Sequence, residues 1–594
     1  MSIKLGYSLK ILCPPVTECI LCERNLSINN KPTQVVVFKL TGPEIYTKYL
    51  YRCKSCKLVK KSRSKVSERQ DIYYHINQFG NLKTGWLFYK KCQNTYFRAS
   101  NEVYFENMLI KSYINNLCHA WMSMEGQSEA YNQTWLNSEK LKIFQTFLQQ
   151  NPKVGNHFNR ENDLNIGESD QEVSEKASSM LEMSRKNLSQ ALFNYWIYEE
   201  LTDRKEIHQT FFGPYYQNET DSVVTFQETV ERFLENVENK RIKEIYQHDD
   251  CTPECKKRGC GTVWSADGLW KLSYPICMCN VRGGLTEDLQ SYIPMISSNS
   301  PLSGQAFCKE HCQKVSSLGY PTDLKDFLKS CSSERQIVNP REYSRPMRQR
   351  VDEVIHEISE KIEGTVANVK TALEAQGFSY LLRDTAFRRQ QNFILAGDNT
   401  NECNKDTGSV MKLRRWSRGI LAIVRGGGHI EYFAPLFNLE SPTQVAMIFV
   451  AFLCEVLKDV RPELWNQMYM SYDNMCNVER LNFLHRELPL VGDLARVWLE
   501  IGKCIDPLHI RNHRKPECKE LYNPEKFKQD WPETNLMIAE QTFCWLGHFK
   551  KILNSMGRTH FHFVPHIIIK KRNIYTEYRH SQGRYPLLPS AKQK

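Results

Sequence analysis

Two Cys-x2-Cys pairs, Cys19/Cys22 and Cys53/Cys56, constrain the start of this chain more than any other feature. Each pair presents two thiolates from one tight turn, and two such turns complete a tetrahedron around zinc, with the strand-forming stretch QVVVFKL between them. Buried free cysteines seldom recur at this spacing, so residues 1–65 read as a zinc-ribbon-like module. Arg52, Lys54, Lys57, Lys60, Lys61, Arg63 and Lys65 crowd the second pair. That run suits phosphate contacts or a solvated loop equally. The 21 cysteines are an odd number, and no secretory signal is visible, so thiols and zinc are expected rather than disulfides.

The chain has 594 residues, too many for one hydrophobic core. The longest apolar run, Val445 to Cys454, is too short to span a bilayer, so no membrane partner is expected. Formal net charge is +12, which leans toward an acidic partner such as nucleic acid. Part of that charge lies in residues 556–594, read as a basic C-terminal tail, with a solvated terminus as the plain alternative.

Between these ends the texture changes several times. Residues 66–150 mix strands and helix, and 151–245 read as a linker followed by helices. A second cysteine-rich stretch covers 246–315 and holds Cys251, Cys255, Cys260, Cys277, Cys279, Cys308, His311 and Cys312. These exceed the four ligands of one zinc, and spacing does not say which subset binds. Residues 316–415 read as a helical insertion. In it, Val351, Val354, Ile355, Ile358, Ile362, Val366, Val369 and Leu373 recur at helical spacing.

Acidic residues stand where apolar elements end. GTVWSADG reads as a strand ending in Asp267, LWKLSYPICM as its neighbour, and GILAIVRGGGHIEYF as a third strand with glycines at its end or bend. Ser441-Pro442-Thr443-Gln444 starts a buried helix. QMYMSYDNMCN is a strand ending in Asp473, whose plain role is to cap the next helix. VERLNFLHREL reads as a helix, CIDPLHI as a strand, and NLMIAEQTFCWLGHFKKIL as a last helix carrying Glu540. With the insertion removed, 246–315 and 416–555 follow the ribonuclease H-like order. The fold class expected is thus multidomain α+β, with a ribonuclease H-like α/β core interrupted by a helical insertion and flanked by zinc-binding cysteine clusters. Two Asp at adjacent strand ends and a late Glu suit a pair of hard cations, Mg²⁺ or Mn²⁺, at a phosphodiester. His509 and His513, with Cys518 nearby, form either a zinc site or an exposed histidine pair.

The motifs CTPECKKRGCGTVWSADGLWKLSYPICM, FCKEHC, SYDNMCN, DPLHIRNHRKPEC and AEQTF, with GNLKTGWLFY and NEVYF upstream, resemble the KDZ (Kyakuja-Dileera-Zisupton) transposases and their associated cysteine clusters. The resemblance implies an acidic triad, Asp267, Asp473 and Glu540, and cut-and-paste transposition of double-stranded DNA, with zinc clusters aiding DNA binding. A homo-oligomer and a nuclear location go with that expectation. A host-adopted descendant that binds DNA or chromatin without cutting it is the alternative. A cross-brace ubiquitin ligase is a third, but the Cys251 to Cys312 spacings do not fit it.

Overall fold

The computed structural model describes residues 10–59, 69–81, 85–89, 95–136, 181–206, 231, 233–241, 244–248, 251–281, 284–285, 292–293, 297–331, 345–363, 415–437, 440, 442–488, 490–525 and 533–586. The chain divides into two compact units, Met1–Glu235 and Asn236–Lys594. The expected linker at Asn151 to Ser174 and the insertion beyond Glu363 fall outside the described residues, as does the expected cap Ser441.

The first unit is built on one sheet. Its strands are β1 (Ile11–Leu12), β2 (Ser27–Lys39), β3 (Gly42–Val59), β4 (Arg69–Tyr74), β5 (Gln78–Asn81), β6 (Gly85–Phe88), β7 (Tyr96–Arg98) and β8 (Val103–Glu106). The order is β6-β5-β4-β3-β2-β8-β7, with β1 alongside β3. Val35 and Val37 alternate with Val36 and Phe38 along β2, and all four are buried, so both faces are covered there. Helices α1 (Asn107–Ala120), α2 (Met124–Leu136) and α3 (Arg185–Asp203) pack on it. The hydroxyl of Tyr131 on α2 donates to the Lys39 carbonyl at 2.8 Å, and Asn194 on α3 donates to that of Arg98 at 2.8 Å.

The second unit begins with α4 (Pro253–Lys257) and β9 (Val263–Leu269). Helices α5 (Lys309–Ser317), α6 (Leu324–Ser330) and α7 (Arg345–Glu363) follow, then β10 (Ser417–Arg425), β11 (Ile430–Phe437), α8 (Pro442–Leu457), β12 (Tyr469–Tyr472), α9 (Met475–Val478), β13 (Gly502–Cys504), α10 (Pro516–Leu521), α11 (Ile538–Leu546) and α12 (Arg558–Ser581). Five of these strands form a sheet in the order β11-β10-β9-β12-β13. β10 is antiparallel to both β9 and β11, and β12 is parallel to β9 and to β13.

Side-chain alternation sets the two faces. Trp264, Ala266, Met470 and Tyr472 share a core with Val445, Phe449, Phe452 and Leu453 of the apolar helix α8. Ser265 faces the other way, and its hydroxyl donates to the Leu536 carbonyl at 3.2 Å, just ahead of α11. On the insertion helices, Val351, Ile355 and Ile358 of α7 lie on one stripe and pack with Phe307, Val315, Phe327 and Leu328.

Several sequence expectations differ from the structure, among them CIDPLHI, of which only Cys504 lies in a strand, β13. Beyond Leu269, which closes β9, LWKLSYPICM is not a strand: among the described residues Trp270–Met278 make a single bridge, between Pro275 and Trp416. β9 is already paired on both edges, and Pro275 has no N–H to offer a ladder. GILAIVRGGGHIEYF is not one strand but the hairpin β10–β11, so the insertion falls between the first and second strands of the sheet. Only Asn482–His485 of VERLNFLHREL after α9 forms a further short helix, a 3-10 turn. Residues 558–581 are no solvated tail, because α12 buries Phe561, Phe563, Val564, Ile567, Ile568 and Ile569.

The β10–β11 turn explains its glycines. A Cβ on Gly426 would lie 1.7 Å from the Arg258 carbonyl oxygen, and one on Gly427 would lie 2.5 Å from the Cys255 sulfur. Gly428 adopts φ of 93°, which side chains rarely tolerate. Gly426→Ala must therefore displace backbone, and thermal or urea melts should show a loss of about 1–3 kcal/mol, the usual cost of overpacking. Gly492→Ala serves as a control. It meets no neighbour and carries only its own φ strain.

Candidate active site and metal centres

The register of the two central strands creates the acidic site. Ser471 pairs with Ser265 and Tyr472 with Ala266, so the next residues, Asp473 and Asp267, stand side by side where the parallel strands end. Neighbouring strands run about 4.8 Å apart, and equal parity puts both carboxylates on the Ser265 face. Glu540 lies in the first turn of α11, which packs against β9 and β10 on that face. The structure thus brings Asp267, Asp473 and Glu540 together. Capping does not explain Asp473, since the N-cap of α9 is Asn474.

A fourth carboxylate, Glu440, joins them. It accepts a hydrogen bond from the Tyr472 hydroxyl at 2.7 Å and another from the Trp270 indole. Its oxygens occupy the space where a Cβ on Gly268 would be. Sequence reasoning passed over it; a lone acid between a strand and the S-P-T-Q helix start was the available signal. The crowding has an electrostatic cost. Burial, then the charges of Asp473, Glu540 and Glu440, hold the Asp267 carboxyl well above the usual range. Burial and Glu440 push Asp473 up to about 7, against the opposing pull of His509.

His509 belongs to this acidic site, not to the zinc set in which its spacing from His513 had placed it. Its Nδ1 is 2.6 Å from Asp506 Oδ2, and its Nε2 is 3.7 Å from Glu540 Oε1. The Asp506 hydrogen bond, and then the surrounding carboxylate charges, outweigh burial and raise the imidazole to about 9. Asp506 also accepts from the Leu508 and His509 amides at 2.8 and 3.1 Å, which fixes the turn.

Among the described residues, the cysteine-containing clusters that could hold a metal include Cys19/Cys22/Cys53/Cys56, His248/Cys251/Cys255/Cys260, Cys277/Cys308/His311 and Cys476/His513/Cys518. In each, the ligand atoms lie within 4.8 Å of one another. Two ligands of one tetrahedral zinc should be about 3.6 Å apart for N and S and about 3.8 Å for two S. The observed separations are 3.6 Å for Cys22–Cys53, 3.4 Å for His248–Cys255, 3.4 Å for Cys277–His311 and 3.5 Å for Cys476–His513. In three clusters a neighbouring thiol stabilises one thiolate. Cys22 is lowered to about 7 by Cys56, Cys260 to about 3 by Cys255, and Cys308 to about 4 by Cys277. These donor sets suit a structural metal such as zinc.

The sequence expectation for these ligands needs three corrections. Cys251, Cys255 and Cys260 take His248 as their fourth member, a residue inside the 246–315 stretch but three positions ahead of its first cysteine. Cys308 and His311 join Cys277, with Cys279 also contacting the His311 ring. Cys312 is turned away and donates to the Phe307 carbonyl at 3.3 Å, because it lies one residue round α5 from His311. His513 and Cys518 group with Cys476 in place of His509.

Comparison with known families bears on the first unit. Residues 7–135 match the CxC5 like cysteine cluster associated with KDZ transposases. The chain carries a KDZ-associated cysteine cluster. Cys19, Cys22, Cys53 and Cys56 of the first metal group lie inside that match. The match ends within the first unit, before the acidic site. No curated protein and no solved structure matches the chain. Among the described residues, no helix is long and apolar enough to cross a membrane.

Two measurements test these sites. Purified chain analysed for metal should lose one zinc equivalent in Cys277→Ser and none in Cys312→Ser. In divalent-free buffer, the raised Asp473 pKa means that the folded state keeps a proton the unfolded state releases. The stability this group contributes is complete below about pH 4, the unfolded value. It is lost as pH rises through about 7. Urea melts should therefore weaken between about pH 4 and pH 7. Asp473→Asn should flatten that slope, and Mg²⁺ at the upper pH should restore stability by binding the folded state.

Proposed function

We propose that residues 236–594 hold a DDE-type polynucleotidyl transferase centre, and that the chain is a DNA transposase or its close descendant. The observation that carries this is the parallel register setting Asp473 beside Asp267. The strand order β11-β10-β9-β12-β13, with one antiparallel pair on each side of β10 and α11 over the acids, supports a ribonuclease H-like core. The CxC5 like cluster supports the same family.

In this reading Asp267, Asp473 and Glu540 hold Mg²⁺ or Mn²⁺, as hard oxygen donors suit those ions. Mutual repulsion among four carboxylates is the observation that fits divalent cations here. When bound, such a pair of ions supplies an activated nucleophile and stabilises the leaving oxygen of a phosphodiester. Asp267, near the end of β9, and Asp473, just past β12, would fix where the scissile phosphate sits. Glu540 closes the set from α11. Water, giving up a proton, forms a new P–O bond as the P–O3′ bond breaks, which leaves a 5′-phosphate and a protonated 3′-hydroxyl. That hydroxyl, losing its proton, then attacks a phosphate of target double-stranded DNA as the target's own P–O3′ bond breaks and its 3′-oxygen leaves as a hydroxyl. Homo-oligomerisation and a nuclear location accompany this reading.

A second reading is a descendant that binds DNA or chromatin without cutting it. One observation favours it: His509 stands 3.7 Å from Glu540 and supplies a cation of its own there. One assay separates the two. Full-length chain with a DNA duplex and Mn²⁺ should cleave and join strands, and Asp473→Asn should reduce this by at least about a hundredfold without loss of DNA binding. Wild-type chain that binds DNA but neither cuts nor joins it would favour the second reading.

A further inference from the structure

The Cys476/His513/Cys518 cluster lies one imidazole away from the acidic site. His513 is buried, and its ring is used on both edges. Nδ1 faces Cys476 Sγ at 3.5 Å, and Nε2 lies 3.0 Å from the backbone carbonyl oxygen of Asp473. Cys476 is three residues beyond Asp473 on α9, and Cys518 is on α10, and both are buried. A metal-bound histidine commonly donates its other N–H to a carbonyl or carboxylate, and that bond fixes the tautomer and ring orientation. Here the carbonyl belongs to the residue that carries the proposed chemistry.

We infer that Cys476, His513 and Cys518 bind a zinc ion which fixes Asp473 in place, so that loading this soft site strengthens hard-cation binding at Asp267, Asp473 and Glu540. The inference rests on the proposed function for the role of Asp473; the zinc site does not. Zinc on Nδ1 leaves the proton on Nε2, where it is donated to the Asp473 carbonyl. Cys476 holds α9 from the other side. Both ties act after the Asp473 Cα, and the pairing of β12 with β9 holds the backbone before it. Three protein ligands leave the fourth zinc position for water. His509 takes no part, because its ring is engaged by Asp506 and faces Glu540.

The test uses full-length chain and measures zinc content and Mn²⁺ affinity by electron paramagnetic resonance. Cys518→Ser should lose one zinc equivalent and bind Mn²⁺ at the acidic site about tenfold more weakly, at the lower end for loss of a supporting contact. Cys518→His, which returns a nitrogen donor, should regain both. If Cys518→Ser fails to fold, Cys518→His with Co²⁺ in place of zinc decides: its thiolate charge-transfer band should fall by one cysteine's share while Mn²⁺ affinity is kept. Unchanged zinc content in Cys518→Ser overturns the metal site. Zinc loss with unchanged Mn²⁺ affinity overturns the coupling and leaves the proposed function standing. If Asp473→Asn binds Mn²⁺ as the wild type does, the proposed function itself fails.

Discussion

Parallel pairing of β9 with β12 is the constraint on which the second unit turns. It forces two carboxylates to the same end and the same face of a sheet, close enough for the charge of Asp473 to disfavour that of Asp267. A sheet built for stability alone would not accept this, since burying unpaired charge is among the costliest things a fold can do. The surroundings add to the strain, because Glu440 and Glu540 bring more negative charge. His509 offsets only part of it. Under the proposed function, a divalent cation would relieve this crowding.

The cysteine clusters hold the ends of the elements that present these acids. His248, Cys251, Cys255 and Cys260 gather just before β9, and the three-glycine turn presses against them. Arg425 donates to Cys260 Sγ and pairs with the buried Glu431, which also accepts from the Trp264 indole at 2.6 Å. Glu577 on α12 reaches both His248 and His429. The start of β9, the β10–β11 hairpin and α12 thus meet around one cluster. A metal held there would supplement the apolar core beneath α8.

Much of the acidic site could be read from the chain because polarity changes abruptly where its strands stop. Asp267 and Asp473 follow apolar alternation, and Glu540 opens an amphipathic helix. What escaped were features fixed by three-dimensional competition. Leu272, Tyr274 and Ile276 alternate like a strand and are buried, yet both sides of β9 are taken, so they pack elsewhere, Tyr274 against Phe561. His509 and His513 look equivalent in spacing, but the short 3-10 turn at Ile510–Asn512 sends their rings to different neighbours. Glu440 and His248 lie just outside the motifs that drew attention. The eight ligands of the second cysteine stretch could be sorted only once α5 had turned Cys312 away from His311.

The bridge between Pro275 and Trp416 carries a further consequence. The chain leaves the sheet and returns to it at adjoining points, and Ser417 and Tyr274 lock that doorway by mutual hydrogen bonds. Once two ends are clamped together, lengthening the segment between them adds little entropic cost, growing only with the logarithm of its length. This spot is therefore a natural cargo bay. Sequence can be gained, shed or exchanged there over evolutionary time while the five strands stay in register, and each such change is made at the same end of the sheet as the acids, because Asp267 stands two residues before β9 closes at Leu269.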